Sequence, residues 1–113
     1  MNAELRNFDT EIERLDYAST GRLLAADVFD GAAFEALLTY LSGKGDQIAD
    51  DFVVSKQVLA PARNAEAAIV SRSAYLPDAR SGLPLAAKFA MLLDLMILGE
   101  RPSDRVSGRP RAF

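Results

Sequence analysis

An all-α fold, a compact bundle of four to five helices, is predicted by three features of the chain. Apolar residues recur at helical spacing along most of its length. Capping residues and glycines bracket those stretches. Half of the 113 residues are hydrophobic and 26% charged, the balance of an ordinary folded domain. The length suits one domain, assigned to residues 1–99, with residues 100–113 expected as a flexible or partner-docking tail.

The elements follow in order. Leu5, Phe8, Ile12 and Leu15 are spaced by three, four and three, which predicts an amphipathic helix over about residues 3–17 with Glu11, Glu13 and Arg14 outward. Ser19 or Thr20 is expected to cap a short second helix carrying Leu23, Leu24 and Val28, against the cost of Gly21 in its first turn. Asp30 is the natural N-cap of a third helix over 31–42, since its carboxylate can accept the first free amides and complement the helix dipole. Phe34, Leu37, Leu38 and Leu41 form its buried face, and Gly43 and Gly45 are expected to end it. Asp46 then caps a fourth helix carrying Ile48, Phe52 and Leu59. Phe52-Val53-Val54 and Val58-Leu59 also suit a strand, so residues 51–59 keep both readings.

Pro61 either opens the following helix or kinks a continuous one. From Ala62 to Ser73 the residues Ala65, Ala68, Ile69 and Arg72 share a face, and the small side chains there admit a close neighbour. Tyr75 to Leu83 reads as a break built on Pro77-Asp78 and Ser81-Gly82. Pro84 suits the first turn of the last helix, whose stripe is Leu85, Phe89, Leu92, Leu93 and Met96. Met91, Leu95, Ile97 and Leu98 widen that stripe, placing the helix at the bundle's centre or against a second copy. Gly99 and Pro102 stop it. Lys88 and Asp94 interrupt the apolar run of 83–98, which is shorter than the roughly 20 residues a membrane span needs.

The chain contains neither histidine nor cysteine, which removes imidazole catalysis, thiolate chemistry, disulfides and the usual zinc sites. Ser55 beside Lys56 is no nucleophile–base pair, because adjacent helical residues point about 100° apart. The glycines at 43 and 45 lack the Gly-Lys-Ser/Thr that follows in a phosphate-binding loop. Asp46, Asp50 and Asp51 have neither the spacing of a calcium loop nor a histidine partner. No catalytic, metal-binding or cofactor-binding residue is therefore assigned. The basic tail of Arg101, Arg105, Arg109 and Arg111 is diluted by Glu100 and Asp104, so direct nucleic-acid binding is not expected.

Charge is unevenly placed. Residues 1–60 hold eleven acids and five bases, and residues 61–113 five acids and eight bases. This suggests head-to-tail packing of the halves, or an acidic face offered to a basic partner. Asp46, Asp50 and Asp51 would supply that face, extended by Asp27, Asp30 and Glu35 if the helices pack with their N-termini together. Arg72, Tyr75 and Arg80 flank the proline loop and belong to types enriched at binding hot spots.

The expected function is that of a non-catalytic protein-binding module. It would be a small acidic inhibitor, of toxin-neutralising, immunity or phage anti-defence type, occluding a basic and even nucleic-acid-binding surface of another protein. The alternative is a structural or regulatory subunit that homodimerises through its last helix. No leader is visible in the acidic N-terminal stretch, so a cytoplasmic location is expected. Ten arginines to three lysines and nineteen alanines suit the GC-rich coding of a bacterium or its phage.

Overall fold

The computed structural model describes residues 9–51 and 54–104. They form an all-α bundle, and among them there is no strand. α1 (Thr10–Asp16) runs without interruption through a π-helical turn (Tyr17–Gly21) into α2 (Arg22–Ala26). α3 (Gly31–Ile48), α4 (Lys56–Arg72), the one-turn α5 (Pro77–Ser81) and α6 (Leu83–Leu98) follow, and a 3₁₀ turn (Pro102–Asp104) closes the described chain. Counting the 10–26 rod as one, the described residues hold five α-helical segments. Leu5 and Phe8, read as the start of the first stripe, lie outside the described residues, as do Phe52 and Val53.

Ile12, Leu15, Leu23, Phe34, Leu37, Leu41, Ala62, Ala65, Ile69, Phe89 and Met96 make one core. Phe34 sits at its aromatic centre, stacked on Phe29 at 5.3 Å and edge-on to Phe89 at 6.2 Å, both favoured ring arrangements. The alanine face of α4 is buried as the small side chains predict, and α6 is its most extensive neighbour.

Four local expectations are corrected. Ser19 does not cap a new helix: its Oγ donates backward to the Leu15 carbonyl at 2.7 Å, and the chain continues through the π turn. α3 does not stop at Gly43 but runs to Ile48. Gly45 is buried because Pro102 and α6 close over it; a Cβ there would lie 2.8 Å from Pro102 Cγ and 3.3 Å from Met96 Cγ. The glycine serves close packing, not termination. Asp46 consequently lies inside α3, and its carboxylate accepts the Ser103 amide at 3.0 Å. Ser55 is the true N-cap of α4, accepting from the Gln57 amide at 3.1 Å. The expected break at 75–83 contains α5, with Pro77 at its start and Ala79 fully buried.

Pro61 lies within a continuous α4. Residues 56–59 of the helix-or-strand segment are helical. α6 is not enclosed: Met91, Ile97 and Leu98 are half or more exposed, while Ala86, Phe89, Leu92, Leu95 and Met96 face inward. Gly99, at φ 74°, ends it in the left-handed conformation. No helix among the described residues is long and apolar enough to cross a membrane.

Candidate binding surface

The surface is built where α2 ends against the C-terminal half of α4. Asp27 terminates α2 at φ 56°, the left-handed conformation that aspartate tolerates better than bulkier residues. Its amide donates to the Leu23 carbonyl at 3.0 Å. Its carboxylate meets two groups from the end of α4 and the turn beyond. The Tyr75 hydroxyl donates to Oδ1 at 3.0 Å, and Arg72 Nε lies 3.2 Å from the same oxygen without the alignment of a hydrogen bond. The guanidinium is instead oriented by the Leu24 carbonyl at 3.3 Å and Ser71 Oγ at 3.2 Å. Burial, with the hydrogen bond to Asp27, raises the Tyr75 phenol above its ordinary value. Exposed pairs of this kind are worth about 0–1 kcal/mol. The cluster therefore fixes side-chain positions more than it stabilises the fold.

Apolar side chains surround it. Leu24 and Val70 are each 48% exposed and Tyr75 56%, and Val28 follows Asp27 directly. Leu24 meets Arg72 through its carbonyl and Tyr75 belongs to the cluster, whereas Val70, two residues before Arg72, lies about 200° away from it around α4. Arg80 borders this surface through Nε donating to the Ser73 carbonyl at 3.1 Å. Asp30 caps α3, accepting from Ala33 N at 3.2 Å, and pairs with Arg22 at 3.4 Å.

The remaining acidic candidates are elsewhere. Glu35 is exposed on α3 and lines two shallow grooves, one shared with Ser81 and Lys88 and one with Glu11 and Arg14. Asp46, Asp50 and Asp51 lie at the far end of α3, about 24 Å along its axis from Asp30 at 1.5 Å per residue. There Asp50 pairs with Arg101 at 3.1 Å. Asp30 caps the start of α3 and Asp46 lies in its last turn, so the acids fall into separate groups. The uneven charge is expressed partly as contact between the halves: Arg72–Asp27 and Arg101–Asp50 both cross them. Among the described residues no three acidic side chains converge as a metal site would require.

One feature of this region escaped sequence reasoning. In the π turn the Arg22 amide reaches the Tyr17 carbonyl, five residues back. Such turns recur at functional sites. Thr20 is 3% exposed and its hydroxyl has no hydrogen-bond partner; Asp16 Oδ1 is buried and also without one. Burial raises the Asp16 carboxyl above the ordinary carboxylate range. Both residues line a groove of about 320 Å³ between the π turn and α4, completed by Gly21, Leu24, Asn64, Ala67, Ala68 and Ser71. Asp16 is its one charged residue among these. Tyr17, 75% exposed, is not among the lining residues, but its ring lies beside Gly21, which is. The weak helix formers Ser19-Thr20-Gly21 were the available signal; the apolar spacing from Leu15 to Leu23 fits a regular α-helix and hides the extra residue. Compared with protein-family models, curated proteins and solved structures, the chain matches none.

Proposed function

We propose that this chain is a non-catalytic binding module that acts by occluding a partner protein's basic surface, with the α2–α4 face as its contact. The observation that carries this reading is the coincidence there of exposed Leu24, Val28 and Tyr75 with an oriented Arg72–Asp27 pair. Apolar and aromatic contact around fixed polar groups is the anatomy of a binding hot spot. The acids at the far end of α3, Asp46, Asp50 and Asp51, act at longer range by speeding encounter with a basic partner.

The test is capture from lysate of the source organism, compared across variants of unchanged helicity. Leu24→Glu and Tyr75→Ala should each abolish retention of a protein that the wild type holds. Replacing Asp46, Asp50 and Asp51 together by Asn should slow association and flatten its salt dependence while leaving the complex intact. Equal retention by all variants would overturn the assignment.

The second reading, a homodimer through α6, draws on the outward Met91, Ile97 and Leu98, exposed by 52%, 63% and 65%. Sedimentation equilibrium decides it: a concentration-dependent dimer dispersed by Met91→Glu supports it, and a strict monomer removes it.

A further inference from the structure

Few polar groups in a folded protein are left both buried and unpaired, and each one calls for an explanation. Here Asp16 Oδ1 and Thr20 Oγ1 occur together, one turn apart, on one wall of the same groove. The opposite wall, from α4, is lined by Asn64 and Ser71 with the small residues Ala67 and Ala68 between them, and the Ser71 hydroxyl accepts from Arg72 at 3.2 Å. None of the eight lining residues is a cation. Of the cations next to a lining residue in the chain, Arg22 pairs with Asp30, Arg72 with Asp27, the Leu24 carbonyl and Ser71 Oγ, and Arg63 is exposed beside Asn64 but about 100° from it around α4. The groove is thus lined by a carboxylate-bearing residue and by polar residues on both walls, with the exposed Tyr17 ring beside its Gly21.

We propose that this groove receives an arginine side chain of the partner, its guanidinium paired with the Asp16 carboxylate and its plane laid against Tyr17. The chemistry selects arginine over lysine. A guanidinium offers donors along both edges, as acceptors on two facing walls require, and it stacks on aromatic rings, whereas an ammonium is a compact, strongly hydrated point charge. The walls of Gly21, Leu24, Ala67 and Ala68 suit the aliphatic stem. The raised carboxyl of Asp16 agrees with this reading, since an incoming cation would relieve the cost of its burial. The groove adjoins the α2–α4 face through Leu24 and Ser71, so the inference rests on the binding role proposed above and names one contact within it.

The experiment needs no partner. The full-length ¹⁵N-labelled chain is titrated with N-acetyl-arginine amide, N-acetyl-lysine amide and the neutral isostere N-acetyl-citrulline amide. Arginine should give saturable amide shifts centred on Asp16, Thr20, Gly21, Asn64 and Ser71. Lysine should bind more weakly and citrulline should give no saturable shift. Asp16→Asn should weaken the arginine response by about tenfold or more, the loss of one charge-assisted hydrogen bond. Tyr17→Ala, at a position too exposed to threaten folding, should weaken it less. Equal responses to arginine and citrulline, shifts centred elsewhere, no shift at all, or an arginine response indifferent to Asp16→Asn would each overturn the proposal. Any of these would leave the partner-capture result standing, and capture lost while the titration succeeds would isolate failure of the broader reading.

Discussion

Asp9 and Asp16 stand at the two ends of α1, seven residues apart, and their surroundings are opposite. Asp9 caps the helix, accepting from the Glu11 and Ile12 amides at 3.0 and 3.2 Å. Its other oxygen takes the Tyr40 hydroxyl and the Lys44 ammonium, both at 2.9 Å. Its backbone exchanges hydrogen bonds with the Gln57 side chain at 2.9 and 2.7 Å. One residue thereby ties α1 to α3 and α4. Burial alone would raise its carboxyl, but Lys44, the Ile12 amide and Tyr40 together hold it below the ordinary value. Asp16 has burial without those donors, and its carboxyl is raised. The same side chain is a fastening at one end of the helix and an unmatched group at the other. This is why the first end reads as structural and the second as a place for a ligand.

The largest effect expected from this contrast is on stability. Asp9→Ala removes a cap and strands the hydrogen-bonding groups of Tyr40 and Lys44, and should cost about 2–3 kcal/mol at neutral pH, measured by urea unfolding. Asp16→Asn should be neutral or stabilising by less than about 1 kcal/mol, because a half-exposed carboxylate is screened by water. Comparable losses from both would erase the distinction.

The pH dependence sharpens the comparison because the signs differ. Asp9 is depressed in the folded protein, so its contribution is present above the unfolded pKa of about 3.9 and disappears as pH falls through the folded value. Asp16 is raised, so the folded state is favoured below about pH 3.9 and that advantage is lost as pH climbs through the higher folded value. Unfolding free energies measured from about pH 3 to about pH 7 should therefore converge for wild type and Asp9→Asn at the acid end. The benefit of Asp16→Asn should emerge only at the neutral end. The opposite ordering would show that the two environments have been exchanged.

The smallest change concerns Thr20. Replacing an unpaired hydroxyl by a methyl of similar shape removes a group that gains nothing from its present surroundings. Thr20→Val should therefore shift stability by less than about 1 kcal/mol in either direction. A larger loss would mean that the hydroxyl is satisfied after all, and the π turn would join Asp9 as a purely structural site.

Much of the architecture was legible before any coordinates. The 31–41 stripe of Phe34, Leu37 and Leu41, the Asp30 cap, the alanine face of α4, and the Pro84 start and Gly99 stop of α6 all depend on residues within a few positions of one another. Local spacing and backbone preference are enough to encode them. Of the candidate site, Asp27, Arg72 and Tyr75 were expected on the binding surface from residue type and charge, yet nothing in the chain announced that 48 residues of separation would close to a 3.0 Å hydrogen bond between Asp27 and Tyr75. The continuous acidic face failed for the same reason: whether Asp30 and Asp46 are neighbours depends on how long α3 runs.

The primary structure by itself determined the helical class, the starts of α3 and α6, much of the core and the absence of imidazole and thiol. Each of these is a property of residue types and short-range periodicity. Tertiary packing decided that Gly45 would lie beneath Pro102 instead of ending a helix, that Asp46 would hold the Ser103 amide instead of capping α4, and that Asp16 would be buried without a donor. A residue's spacing states which face it occupies, but only the neighbouring helix states what meets it there. Hydrogen bonding and desolvation, the terms that separate a fastening from a binding site, belong to that meeting.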